Sequence, residues 1–133
     1  MQNAERSQLV MARILQKTMD MGIQEWTLTF DDLNLEAEFA QFFYPCLEWL
    51  EYEGIIRVKG YHRTMGGIAN GSVANVAITS LGQAVLSKHV DLTGDPEPLS
   101  DTVKKISGKP QSYSQFGDFL GGTIGGLIKS LGA

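Results

Sequence analysis

The chain has 133 residues, of which 15 are acidic and 11 are basic, so its net charge is −4. That length fits one domain with some additional chain, and a hydrophobic content of 43% favours a globular fold over disorder. The acidic balance disfavours a general nucleic-acid-binding protein, which usually carries a basic surface. With Cys46 as the single cysteine, an internal disulfide and a cysteine-cluster zinc site are excluded.

The beginning of the chain mixes acidic and basic residues and lacks the apolar run of a signal peptide. No stretch of about 18 uncharged apolar residues is present, which disfavours a membrane-spanning helix and a membrane partner. A lone cysteine fits a reducing compartment. We therefore expect a cytoplasmic protein.

Two elements are predicted in the first 30 residues. Apolar side chains spaced by three and four predict an amphipathic helix over residues 3–20, which Gly22 is suited to end. The segment Trp26 to Phe30 alternates large apolar residues with threonine, which predicts a short strand. Asp31 and Asp32 then cap a following turn.

Residues 35–52 again have helical spacing, but Pro45 lies in the middle of the run. A proline inside a helix removes a hydrogen bond and clashes with the preceding turn, at a cost of ~3 kcal/mol. Either one helix is kinked at Pro45, or two helices meet there and Pro45 opens the second, since proline is well tolerated in a first helical turn. Consecutive aromatic residues in this run span a wide arc, so we expect Tyr44 or Phe43 to face outward.

Residues 47–88 form the centre of the chain. Their residue pattern predicts a helix, a strand, a long loop, a second strand and a helix, in that order. The first helix ends at Glu53-Gly54, Ile55-Ile56 opens a strand, and the return strand is Val73 to Thr79. The loop Gly60 to Gly71 is rich in glycine, and Asn70-Gly71 predicts a tight hairpin turn at its end. Thr79 or Ser80 should cap the last helix, from Leu81 to about His89.

The C-terminal part changes composition. Residues 91–115 hold three of the four prolines and predict a linker with a short helix near Leu99 to Ile106. Residues 116–133 form a glycine-rich amphipathic tail. Its glycines Gly117, Gly121 and Gly125 recur every four residues, a spacing that permits close helix contact. This spacing suggests self-association into a homo-oligomer, or docking on the domain or on a partner, rather than lipid binding.

The central pattern resembles that of winged-helix domains, which often have a helix followed by Gly and Ile/Leu, a hairpin "wing", and an Ile-Thr-x-x-Gly-x-x-x-Leu close. The residues that carry the resemblance are Leu47, Leu50, Glu53, Gly54, Ile55, Ile56, Ile78, Thr79, Ser80, Leu81, Gly82 and Leu86. The resemblance implies an α+β fold in which residues 1–90 form a winged-helix-like domain. Many members of this family bind DNA and others bind proteins, so the fold does not define the function.

The chain departs from the DNA-binding members in the charge of its recognition helix. A helix in the major groove needs Arg or Lys to reach phosphates and base edges. No Lys or Arg occurs between Lys17 and Arg57, while nine acids do. The nine acids are Asp20, Glu25, Asp31, Asp32, Glu36, Glu38, Glu48, Glu51 and Glu53.

No catalytic or metal-binding pattern is evident. Cys46 lies in an apolar helical run, which predicts a buried side chain rather than a reactive thiolate. His62 lies in the wing and His89 at a helix end, where a cation is favourable, and neither has metal-ligand spacing to another His or Cys. We expect no enzyme activity, no cofactor and no metal.

We therefore predict a non-catalytic, acidic protein–protein interaction module. A specific form is an inhibitor, immunity or antitoxin-like protein that presents carboxylates to a basic partner. The candidate acidic face comprises Glu36, Glu38, Glu48, Glu51 and Glu53. The alternative is a DNA-binding regulator that uses a basic wing. The candidate wing residues are Arg57, Lys59, His62 and Arg63.

Overall fold

A computed structural model describes residues 2–90 and 96–108, and within these ranges the chain has the predicted α+β class. The α-helices are α1 (Asn3–Met21), α2 (Phe43–Tyr52), α3 (Ser80–Ser87) and α4 (Leu99–Gly108), with 3-10 helices at Phe30–Leu33 and Ala37–Phe42. The strands are β1 (Thr27–Leu28), β2 (Ile56–Arg57), β3 (Gly60–Arg63), β4 (Gly71–Ala74), β5 (Ala77–Ile78), β6 (His89–Val90) and β7 (Glu97–Pro98).

Helix α1 is the central element of the core, and its prediction is confirmed. Its apolar stripe packs against α2, α4 and β5, because three- and four-residue spacing places these side chains on one side of the helix. The helix ends where the Gly22 N–H donates to the Thr18 carbonyl at 3.1 Å. The stripe's buried apolar residues are Leu9, Val10, Met11, Ala12, Ile14 and Leu15.

Of the two structures predicted around Pro45, the meeting of two helices is the correct one. A 3-10 helix ends at Phe42 and α2 begins at Phe43, so Pro45 is the third residue of α2. The N–H groups of the first turn have no partner inside a helix, so the proline removes no helical hydrogen bond there.

The strands form three small antiparallel sheets: β1-β4-β3, β2-β5 and β6-β7. Strand β1 is shorter than predicted, because Phe30 already begins a 3-10 helix. The Thr29 N–H donates to the Asp32 carboxylate at 2.8 Å, which turns the chain after β1. The expected turn at Asp31 and Asp32 is therefore present.

The hairpin between β2 and β5 is interrupted at Asn75, which adopts a φ of +53° between β4 and β5. The Trp26 N–H donates to Asn75 Oδ1 at 3.0 Å, and the Trp26 indole donates to the Val76 carbonyl at 2.8 Å. These bonds hold Asn75 and Val76 against the residue that precedes β1. The hairpin is therefore divided into two ladders, β3–β4 and β2–β5.

The prediction of a tight turn at Asn70-Gly71 is wrong. Residues 64–70 form the loop, and Gly71 is already paired with Arg63 in the ladder. Gly71 has a φ of +101°, and a Cβ there would lie 2.2 Å from the His62 carbonyl oxygen, so only glycine fits. The asparagine instead closes a turn within the loop, where its N–H donates to the Gly67 carbonyl at 3.2 Å.

Helix α3 begins as predicted and ends earlier. The Thr79 hydroxyl accepts from the Gly82 N–H at 2.9 Å and caps the helix. A Cβ on Gly82 would lie 2.2 Å from the Ile55 carbonyl oxygen, so the glycine lets α3 pack closely against the chain entering β2. The helix stops at Ser87, and His89 pairs with Pro98 in a strand instead of ending the helix.

Helix α4 lies in the segment predicted as a linker, and the short helix is present. It packs on α1 and α3, and its Leu99 and Val103 are fully buried members of the core. The Leu99 N–H also donates to the Lys88 carbonyl at 2.8 Å. Residues 99–108 therefore belong to the packed unit, while the predicted boundaries at 91 and 115 and the predicted tail 116–133 lie outside the described residues.

Candidate partner-binding surface

Two acids of the predicted face, Glu48 and Glu51, lie with Tyr44 on the side of α2 that contacts strand β3. Tyr44, Glu48 and Glu51 are separated by four and three residues, so they lie above one another on a single face. On β3, Tyr61 and Arg63 share a face because side chains alternate along a strand. Each of these two meets a partner on α2, so the acidic helix and the basic hairpin are in direct contact.

Arg63 connects the two elements through two interactions. Its guanidinium carbon lies 4.2 Å from the centre of the Tyr44 ring, in cation–π contact. Its Nη1 lies 3.7 Å from Glu48 Oε1. Both charged side chains are more than half exposed, so solvent screens this ion pair and its contribution to stability is small.

Tyr61 and Tyr44 both donate hydrogen bonds across this contact. The Tyr61 hydroxyl donates to Glu51 Oε1 at 3.0 Å, and burial, followed by the bond to Glu51 and the charges of Glu51 and Glu48, raises the pKa of Tyr61. The Tyr44 hydroxyl donates to the Asn70 carbonyl at 2.8 Å. Burial raises the pKa of Tyr44 against the opposing effect of Arg63.

The five acids of the predicted face have different environments. Glu48 and Glu51 contact the hairpin, and Glu38 pairs with Arg6 of α1 at 3.3 Å. Glu36 and Glu53 form no ion pair with any residue in the described ranges. Glu36, Glu38 and Glu48 are exposed, whereas Glu51 and Glu53 are partly buried. Intramolecular contacts thus already engage part of the predicted acidic face.

The four predicted wing bases likewise do not share one surface. Arg63 faces α2, and the exposed His62 lies on the opposite face of β3. Arg57 and Lys59 line a separate surface cleft beside Ile23, at the base of the hairpin. The phosphates along one DNA duplex could therefore contact only some of these four bases.

Tyr52 is an exposed aromatic that the sequence analysis missed. We expected Tyr44 or Phe43 to face outward, but both are buried, because they pack edge to face at 4.9 Å within the core. Tyr52, at the end of α2, is 89% exposed. The outward stripe at Pro45, Glu48 and Tyr52 follows the helical period, so counting it from Pro45 would have located this residue.

Comparisons with protein-family models, curated proteins and solved structures found no match for this chain.

The thiol of Cys46 is poorly suited to nucleophilic chemistry. It is buried in α2 and donates to the Ser7 carbonyl at 3.3 Å. Burial raises its pKa to about 12, so the reactive thiolate is scarce at neutral pH. Within the described ranges, no group of three or more His, Cys, Asp or Glu residues has an arrangement that could hold a metal ion.

Two further predictions concern a membrane-spanning helix and the tail. No helix within residues 2–90 and 96–108 is long and apolar enough to cross a membrane. The proposed self-association residues Gly117, Gly121 and Gly125 lie outside the described residues.

Proposed function

We propose that this chain is a non-catalytic, acidic protein–protein interaction module built on a winged-helix-like domain. The order of α1, β1, two further helical segments and a hairpin supports that architecture, as does the sheet order β1-β4-β3. The cytoplasm remains the proposed compartment. Self-association through the glycine-rich tail also remains a proposal.

The observation that carries the proposal is the outward surface of α2. It displays Glu48 and the nearly fully exposed Tyr52 one helical turn apart, with the partly buried Glu53 adjacent in sequence. No base is present on this helix. Tyrosine is enriched among residues that dominate binding energy at interfaces, and carboxylates around it favour a basic partner.

The internal contact of Arg63 illustrates the chemistry that such a partner would use. A guanidinium stacks on Tyr44 while it pairs with Glu48, four residues away on the same helix. Tyr52 lies four residues beyond Glu48 and repeats this combination toward solvent. A carboxylate has two oxygens with about four acceptor sites, so Glu48 can accept from a second guanidinium.

An inhibitory role is the more specific form of this proposal. An acidic surface can occupy the place of phosphates on a basic nucleic-acid enzyme, as an immunity or antitoxin protein does. DNA binding through the hairpin is the alternative function. Two observations weigh against it: the α2 carboxylates lie next to Arg63, and the remaining bases are divided between two faces.

The test is affinity capture from an extract of the native cells, with the purified full chain as bait. We expect a basic protein to be captured and to be lost with the Y52A/E53K double variant. The matched control I68A/D31K changes an exposed aliphatic residue and an exposed acid away from α2, and should retain the partner. Binding of wild type to a random DNA duplex at low salt, abolished by R57Q/K59Q/R63Q, would reject the proposal in favour of the alternative.

A further inference from the structure

A second candidate site lies on a different face from the proposed α2 surface. It is a surface cleft of about 380 Å³ between the loop that follows α1 and the base of the hairpin. Arg57 and Lys59 line one side, Asn75 and Ala77 come from the returning chain, and Ile23 and Glu25 come from the loop. The chemistry of these groups differs from that of the acidic α2 surface.

The two bases in the cleft are available to a ligand. Arg57 and Lys59 are exposed, and neither forms an ion pair with an acid in the described ranges. By contrast, Arg6, Arg63 and Lys105 each form an ion pair with an acid within those ranges. Two cations and one acid, Glu25, line this cleft, so its local charge is positive on a protein whose net charge is −4.

The cleft also contains a donor that is held in a fixed position. Asn75 Oδ1 accepts from the Trp26 N–H at 3.0 Å, which leaves the Nδ2 amide group as the remaining side-chain donor. Within the described residues this Nδ2 has no hydrogen-bond partner. An amide donor and two cations together favour a ligand that accepts hydrogen bonds and is negatively charged.

The apolar part of the cleft adds a second requirement. Ile23 is 73% exposed at its edge, and Ala77 contributes to the lining. An exposed large aliphatic side chain beside unpaired cations gains from a ligand that covers it with an apolar group. A phosphate backbone offers no such apolar group, whereas a peptide can present one beside a carboxylate.

We propose that this cleft binds an acidic peptide segment of another protein, in which a carboxylate side chain is next to an aliphatic or aromatic one. The carboxylate pairs with Arg57 and Lys59 and accepts from the Asn75 amide. The apolar side chain covers Ile23. The chain then has two surfaces that prefer partners of opposite charge: a basic protein at α2 and an acidic peptide at this cleft.

The experiment is a titration of the ¹⁵N-labelled full chain, followed by NMR, with a blocked peptide of sequence EDLF and its neutral counterpart QNLF. We expect amide shifts at residues 23–25, 57–59 and 75–77, and affinity for EDLF at least about tenfold higher than for QNLF. The R57Q/K59Q variant should lose at least about tenfold in affinity for EDLF, with a lower salt dependence. The control K88Q/K104Q removes two exposed charges elsewhere and should stay within about twofold of wild type.

Several outcomes would overturn the proposal. The absence of shifts at millimolar EDLF would refute it, as would equal affinity for EDLF and QNLF, or shifts outside the cleft that R57Q/K59Q leaves unchanged. A short DNA duplex that displaces EDLF and binds more tightly at the same residues would identify a nucleic-acid site instead. Retained dispersion in the ¹⁵N spectrum confirms that each variant is folded. The Y52A/E53K variant should bind EDLF like wild type, so the test is independent of the α2 proposal.

Discussion

The guanidinium of Arg63 stacks on the ring of Tyr44 at 4.2 Å and connects strand β3 to helix α2. The same side chain lies 3.7 Å from Glu48. One of the four predicted wing bases is thereby engaged by an acid of the predicted partner-binding face. The two functional alternatives drawn from the sequence thus depend on residues that contact each other.

Replacing Arg63 with Gln should destabilise the fold slightly, because it removes the cation–π contact and a screened ion pair. We expect a loss of about 1 kcal/mol in the free energy of unfolding, measured by urea denaturation. R57Q is the matched control, since Arg57 has no ion pair within the described ranges, and it should change stability by less than about 0.5 kcal/mol. Equal effects of the two variants would contradict the stacking role.

Replacing Pro45 with Ala should change the free energy of unfolding by less than about 1 kcal/mol, because Pro45 lies in the first turn of α2 and removes no helical hydrogen bond. Glu48→Pro, in the helix interior, is the contrasting variant and should cost ~3 kcal/mol or more. Urea denaturation measures both. A loss of several kcal/mol from Pro45→Ala would show that the ring itself is needed for packing.

Stability should fall as the pH rises above about 9. Burial raises the pKa of Cys46 from 9.0 to about 12, so between these values the unfolded chain releases a proton that the folded chain retains. The unfolded state is then favoured increasingly with pH. Tyr44 and Tyr61, whose pKa values are also raised, act in the same direction.

The measurement is the free energy of unfolding in urea at several pH values between about 8 and 10. Cys46→Ala should have a shallower decline than wild type, because one of the responsible groups is gone. An identical pH dependence in the two proteins would show that the thiol does not contribute.

Helix α4 should be required for stability, whereas residues 109–133 should not. Truncation after residue 108 should retain cooperative unfolding with a similar midpoint, and should reduce self-association if the tail proposal holds. Leu99→Ala should cost about 2–5 kcal/mol, because Leu99 is fully buried, while the exposed Lys104→Ala should have little effect. Thermal unfolding and sedimentation measure these outcomes. If Leu99→Ala left the thermal unfolding unchanged, α4 would not be part of the core.

Several features that depend on neighbouring residues were predictable from the sequence, although the tight turn at Asn70-Gly71 was not among them. The period of α1 follows from side chains a few positions apart, whereas the same local signals left Thr79 or Ser80 open as the cap of α3 and left two arrangements open at Pro45. The turn after β1 also follows from Asp31 and Asp32. Such preferences depend only on residues close together in the chain, so they are visible in a single sequence.

Features that depend on distant contacts were not predictable. Asn75 interrupts the hairpin because Trp26, 49 positions earlier, donates its N–H to Asn75 Oδ1 and accepts from the Asn75 N–H at its carbonyl. This interruption separates Arg57 from Arg63. Tyr44 appeared to be a surface residue because its neighbours are aromatic too. The core buries both Phe43 and Tyr44, and this depends on elements distant in sequence.

The most direct test of the central claim places a photo-crosslinking amino acid, p-benzoylphenylalanine, at position 52 of the full chain in its native cells. We expect a covalent adduct with a basic protein. The adduct should be lost when Glu53→Lys is added and absent when the crosslinker is placed at the exposed position 68 on the hairpin loop. Adducts with nucleic acid, or protein adducts that form equally from both positions, would contradict a partner-binding surface on α2.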